Sequence, residues 1–116
     1  MRIVPIASGK GGVGKSLVAA NLSLALAQAG KRVVAADVDL GGSNLHLILG
    51  INGVKKGIGT FLNDPHISFH DIILQTDYKN LEFIPGDAEI PGTANLKSSQ
   101  KQKLIRRFKS LDADYV

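Results

Sequence analysis

The sequence predicts a three-layer α/β domain with a mostly parallel sheet, and three observations carry that prediction. Two short apolar runs, Arg2 to Ala7 and Val33 to Ala36, lack the polar alternation of a half-exposed strand and suit strands buried on both faces. Between them lies a glycine-rich loop followed by a stretch of helical character, Ser16 to Ala29. Strand, helix and strand joined by short links make a right-handed crossover, which obliges the strands to run parallel.

Taken in order, the first strand carries one anomaly. Pro5 removes a ladder hydrogen bond from a run that otherwise reads as interior. In the first helix Val18, Leu22, Ala25 and Ala29 recur at helical spacing and are the expected packed face, with Gly30 as the stop. Asp37 closes the second strand. Ser43 or Asn44 can cap a short helix through Leu49, ended by Gly50. A lysine-bearing stretch follows from Gly53 to Gly59, and Thr60 to Asn63 reads as one helical turn. Ile67 to Gln75 serves either a turn of helix or a strand, whereas Leu81 to Ile84 reads as a strand ended by Pro85-Gly86. Ser98 to Leu111 is an amphipathic helix with Leu104, Ile105, Phe108 and Leu111 on one face. A further strand begins at Asp114-Tyr115-Val116, where the sequence ends. Residues 1–116 therefore read as one domain that is the N-terminal portion of a larger one.

Composition narrows the function classes. The chain has 116 residues, 44% apolar and 21% charged, enough to bury a core and too apolar for wholesale disorder. It contains no cysteine, so no disulfide, thiolate metal site or iron–sulfur ligation is available within it. The N-terminus lacks the apolar core of a secretion signal, and the longest apolar stretch, Leu17 to Ala29, is too short to span a bilayer. A cytoplasmic place is expected. The net charge is +4, and its excess is confined to the last twenty residues, since residues 1–96 balance eight basic against eight acidic side chains. The basic residues run from Lys97 to Lys109 without interleaved aromatics, which favours a solvated helix face over a DNA or lipid contact.

The chemistry lies in Gly9-Lys10-Gly11-Gly12-Val13-Gly14-Lys15-Ser16, which satisfies the phosphate-loop pattern G-x-x-x-x-G-K-[ST]. Glycines let the backbone turn tightly and aim several N–H groups inward as an anion nest. The helix that follows directs its positive dipole end at the same point. Lys15 supplies a point charge for β- and γ-phosphates, and the Ser16 hydroxyl is placed to ligate Mg²⁺. The pattern arises by chance in roughly one per cent or fewer of chains this size, and here it sits between a strand and a helix, the context that gives it meaning. The expected nucleotide-binding set runs through Gly9, Lys10, Gly11, Gly12, Val13, Gly14, Lys15, Ser16 and Leu17.

Lys10 is not required by the general pattern. With it, Ser8 to Ser16 closely resembles the deviant Walker A motif of the MinD/ParA ATPase family, and the resemblance extends to Asp37-Val38-Asp39-Leu40-Gly41-Gly42-Ser43-Asn44-Leu45, which is similar to that family's switch I. Leu81-Glu82-Phe83-Ile84-Pro85-Gly86-Asp87 and the Gly-Gly-Ser-Asn-Leu-His run lean towards the branch containing MinD and the flagellar-number regulator FlhG. The resemblance implies a P-loop NTPase-like fold, ATP and Mg²⁺ as cofactors, and a nucleotide-dependent homodimer that positions other machinery through a regulatory or cargo protein. It implies that Lys10 reaches across the dimer to the partner's phosphates, that Asp37 holds the water shell of Mg²⁺ with Ser16, and that Asp39 addresses the attacking water. Membrane or DNA contacts would lie in parts outside this chain, and the family's switch II aspartate lies beyond its last residue.

Two other readings stand beside this one. A metallocofactor-assembly ATPase of the Mrp-like branch shares the loop but needs cysteines, and a non-catalytic nucleotide-binding or interaction module would bind without turnover. His46, His66 and His70 show no metal-ligand spacing, and His46 reads as a packed core residue. Asp87 and Glu89 serve equally as loop residues or as a border to the nucleotide.

Overall fold

The computed structural model of the chain describes residues 1–6, 13–38, 49–50, 57–86 and 98–116. Its frame is a sheet in which β1 (Val33–Ala36) pairs parallel with β3 (Leu81–Ile84), while β2 (Leu74–Gln75) joins the far side of β3 antiparallel. On the other side of β1 lie the last residues of the chain: Tyr115 N–H donates to the Arg32 carbonyl at 3.2 Å and Val34 N–H donates to the Tyr115 carbonyl at 3.0 Å. Their opposite edge receives residues 2–4, with Arg2 N–H donating to Asp114 O at 2.9 Å, Val116 N–H to Arg2 O at 2.9 Å and Val4 N–H to Val116 O at 2.8 Å. Across the sheet the order is 2–4, 114–116, β1, β3, β2, and only the last pairing is antiparallel.

Alternation along the strands builds a core on each face. Val33, Ala35, Leu81 and Phe83 meet Ala20 and Ala27 of α1 (Val13–Gln28) on one side. Val34 and Ile84 face the other way, onto Ile58 and Phe61 of α2 (Ile58–Asn63), Phe69 and Ile72 of a 3₁₀ turn, and Leu104 and Phe108 of α3 (Ser98–Lys109). Phe69 stands edge-on to both Phe61 and Phe108, with ring centroids 5.2 and 6.1 Å away, a geometry that aligns positive ring edges with negative faces. The result is the three-layer α/β arrangement expected. Arg32 secures the entry of the carboxyl-terminal segment: its N–H donates to Asp114 Oδ2 at 2.9 Å and its guanidinium to Asp112 Oδ2 at 2.8 Å. That hydrogen bond and the charge of Asp112 raise the Arg32 pKa above its ordinary value.

Several expectations are refined. β1 and β3 fall where the apolar runs predict. α1 begins at Val13, three residues before the predicted Ser16, and stops at Gly30, whose φ is +87°. There Lys31 N–H donates to Leu26 O and Gly30 N–H to Ala27 O, the paired bonds of a glycine-closed helix end. The packed face of α1 is not Val18, Leu22, Ala25 and Ala29; Ala20, Ser23 and Ala27 are buried instead, and Leu22 remains 39% exposed. A helix apolar on nearly all sides offers no stripe to read, so the close approach of small side chains decides which face packs.

The first strand is shorter than Arg2 to Ala7, since its ladder covers residues 2–4, and Ala7 lies outside the described residues. Pro5 loses its anomaly. Arg2 and Val4 turn their backbone groups toward 114–116, so by alternation the Pro5 nitrogen faces away from that segment, and its missing N–H costs no bond in this pairing. The ambiguous stretch Ile67 to Gln75 resolves into both forms, a 3₁₀ turn at Phe69–Ile72 and then β2. α2 starts two residues before the predicted Thr60, and α3 ends at Lys109 rather than Leu111. Leu104 and Phe108 are buried as expected, but Ile105 is 44% exposed and belongs to the solvent side. The predicted helix through Leu49 lies outside the described residues apart from Leu49 itself, which is buried.

Candidate functional site

The parallel strands direct their carboxyl ends to one edge of the sheet, where ligands bind in open α/β folds. Residues 2–4 lead from that edge toward the glycine-rich segment, and α1 opens at Val13, within the phosphate-loop motif. The first turn of α1 contains no acidic side chain, so its backbone N–H groups and positive dipole end are not neutralised by a carboxylate of their own turn. That is the condition an anionic ligand needs. Of the predicted phosphate-binding set, Val13, Gly14, Lys15 and Ser16 form this turn, and the described backbone places them there; Leu17 follows, exposed. Gly9, Lys10, Gly11 and Gly12 lie outside the described residues, as does Asp39.

Asp37 is fixed from the opposite side of the crossover. Its N–H donates to Ile84 O at 2.9 Å, extending the ladder by one bond past β1, and the residue is only 7% exposed. It keeps interactions with its surroundings, which is how a carboxylate tolerates burial. The end of β3 is equally fixed: Pro85 and Gly86 are buried, and Ile58 N–H donates to Pro85 O at 2.8 Å, holding α2 against the same sheet edge. A hydroxyl (Ser16) and a carboxylate (Asp37) are hard oxygen donors, the chemistry that suits Mg²⁺. Sequence and backbone together thus fit a Mg-polyphosphate.

One feature beside Asp37 has no sequence signal beyond the apolar character of its parts. A cavity of about 340 Å³ opens between residues 3–6 and β1, lined by Leu22 and Leu26 from α1, by Phe108 from α3 and by Val116. Its walls are mainly aliphatic, with Ser23 and Asp37 among the few polar residues, so phosphates would be poorly solvated there. Elsewhere, His66 and His70 are exposed, while His46, Asp87 and Glu89 lie outside the described residues. No group of three His, Cys, Asp or Glu able to hold a metal occurs among the described residues. On α3, Lys101, Arg106, Arg107 and Lys109 are exposed, while Lys103 lays its ammonium 4.7 Å from the Phe61 ring centroid. Among the described residues no helix is long and apolar enough to cross a membrane.

Comparison with known proteins agrees with this geometry. Residues 4–114 match the family described as the CobQ/CobB/MinD/ParA nucleotide binding domain. The septum site-determining protein MinD of Synechocystis is 56% identical over 117 residues, covering 99% of this chain and 43% of that protein. Among solved structures, the MinD of Pyrococcus horikoshii complexed with Mg-ADP superposes with a TM-score of 0.84 at 34% identity, over 98% of this chain and 46% of the other. The MinC:MinD complex of Aquifex aeolicus gives 0.81 at 30% identity, over 99% and 45%. The chain thus spans less than half the length of these relatives.

Proposed function

Because the chain belongs to the CobQ/CobB/MinD/ParA nucleotide-binding domain family, we propose that it is the phosphate-binding portion of a Mg-ATP-dependent ATPase of the MinD/ParA type. The observation that carries the proposal is the phosphate-loop motif opening α1 at the sheet edge that also holds buried Asp37. On this reading residues 1–116 form part of a single nucleotide-binding domain. The amides of the loop through Leu17 bind the polyphosphate. Lys15 neutralises the charge that develops on the γ-phosphate as water attacks in line. Lys10 adds a second positive charge from across a nucleotide-dependent homodimer, in the manner of an arginine finger. Ser16 and Asp37 would hold Mg²⁺, which would offset phosphate charge, and Asp39 would orient the attacking water.

The Mg-ADP complex of the Pyrococcus relative supports the nucleotide, and the MinC:MinD complex supports a regulatory or cargo protein as partner. On this reading the chain acts in spatial positioning, from the cytoplasm and with a peripheral place at the membrane. Because the chain spans less than half of its relatives, a second reading concerns the chain by itself: it binds nucleotide without turning it over.

Titration calorimetry of the chain with Mg-ATP, with GTP and with a Lys15→Ala variant tests the site. Saturable ATP binding lost in Lys15→Ala is the expected result. Absence of binding by a folded sample would overturn the proposal for this chain. Phosphate release no faster than in Lys15→Ala, despite ATP binding, would select binding without turnover.

A further inference from the structure

The aromatic side of the sheet carries a second hollow, of about 330 Å³, between the segment 61–70 and the last turn of α3. It shares no residue with the cavity beside Asp37. All its walls fall between Phe61 and Ser110, and the 61–70 wall leads into β2, which lies across β1 and β3 from 114–116. Its form therefore does not depend on where the sequence ends. It is also remote from the phosphate-loop edge. Past Ser110 the chain returns to Arg32, at the start of β1 rather than at its carboxyl end.

What lines this hollow is a set of donors without a counter-charge. Arg107 comes from α3, His66 and His70 from the segment opposite, and Ser68 and Ser110 add hydroxyls. No acidic residue is among the walls. Asp64 and Asp71, on the same segment as the histidines, accept the main-chain N–H groups of His66 and Ser68 at 2.9 and 3.0 Å. Asp112, the first acid past α3, is engaged by Arg32 at 2.8 Å. α2 has no charged side chain, and Lys103 of α3 adds positive charge over the ring of Phe61, itself a wall residue. Among the described residues the two imidazoles and the Arg107 guanidinium make no hydrogen bond or ion pair. The Ser68 hydroxyl accepts from His70 N–H at 3.3 Å, and its own proton has no acceptor among the described residues.

Three groups able to carry positive charge thus share one concavity with no acid among them. An anion seated there removes their mutual repulsion and accepts their hydrogen bonds. A metal ion fits poorly, because Arg107 would repel it and two imidazoles lack a third ligand among the described residues. The volume is at the small end of small-molecule sites. We infer that the hollow binds a phosphate group, free or as a small monoester, held by the Arg107 fork, the imidazolium donors of His66 and His70 and the Ser68 hydroxyl. Because histidine changes charge near neutrality, the grip tightens as the medium acidifies. This inference does not depend on the nucleotide reading.

The test follows the side-chain NMR signals of His66, His70 and Arg107 in the full 116-residue chain as inorganic phosphate, phenyl phosphate or sulfate is added at constant ionic strength. Reading those signals separates the hollow from anion binding at the glycine-rich loop. Phosphate should move all three saturably, and Arg107→Gln, at an exposed position, should weaken that binding about tenfold or more. Sulfate, whose charge is fixed, should bind about fivefold or more tightly at about pH 6 than at about pH 8, and the double variant His66→Gln, His70→Gln should lose that difference. Phenyl phosphate binding more tightly than phosphate assigns the site to a monoester, and equal or weaker binding assigns it to the free ion; both support the inference. Equal movement of the signals by chloride would overturn it. So would unchanged binding in Arg107→Gln, sulfate binding indifferent to pH, or a stronger response to Zn²⁺ than to phosphate.

Discussion

Gly30 isolates one physical effect. At φ +87° it holds a conformation that costs an L-residue strain, yet a Cβ built there would meet nothing within 4 Å. Replacing it with alanine creates no clash, so only backbone strain changes. Gly30→Ala should cost about 1 kcal/mol, read as a lower denaturant midpoint at unchanged slope. Asp37 is the complementary case, where charge rather than conformation is at stake. Asp37→Asn preserves size and the main-chain bond to Ile84, so the fold should persist. If its carboxylate supports Mg²⁺, nucleotide affinity in magnesium should fall about tenfold or more, with little change in affinity measured in EDTA. An equal loss in both conditions would point to a structural role instead.

At the scale of elements, α3 offers a direct comparison of neighbours. Leu104 is 4% exposed against the aromatic cluster, while Ile105 is 44% exposed. Leu104→Ala should destabilise by about 3 kcal/mol, and Ile105→Ala by no more than about 0.5 kcal/mol, measured by chemical denaturation. The same contrast shows what the sequence discloses. β1 and β3 were legible because a four-residue apolar run bounded by turn residues has few alternatives. The phosphate loop was legible as a motif, since its residue types and spacing serve one chemistry. The packed face of α1 was not, because apolar residues surround that helix, and its buried positions are Ala20, Ser23 and Ala27, flanked by partly buried Ala19, Leu24 and Leu26. Pro5 could be understood only when its strand partner was known, and that partner lies at the other end of the chain.

For the molecule as a whole, the two faces of the sheet are unequally held. One carries the interlocked rings of Phe61, Phe69 and Phe108. The other is closed by α1 through buried Ala20 and Ala27 and only partly buried Ala19, Leu24 and Leu26, with Leu17, Val18 and Leu22 exposed. Local opening costs less where fewer apolar contacts are broken. Native-state hydrogen exchange should therefore find the amides of α1 less protected than those of β1, β3 and α3. Protection of α1 equal to that of the strands would mean that the chain opens only as a unit.

The placement of 114–116 between the first segment and β1 also sets a schedule. During synthesis, residues 2–4 and β1 emerge early, but residues 114–116, which bridge them, are translated much later. At common elongation rates the interval is roughly ten seconds, during which α1 and α2 can form and re-form many times. The nascent chain must keep an apolar strand edge from pairing with other chains through that wait. This part of the sheet closes only once 114–116 are available, so the long loop spanned by that contact, rather than helix formation, should govern how fast it appears.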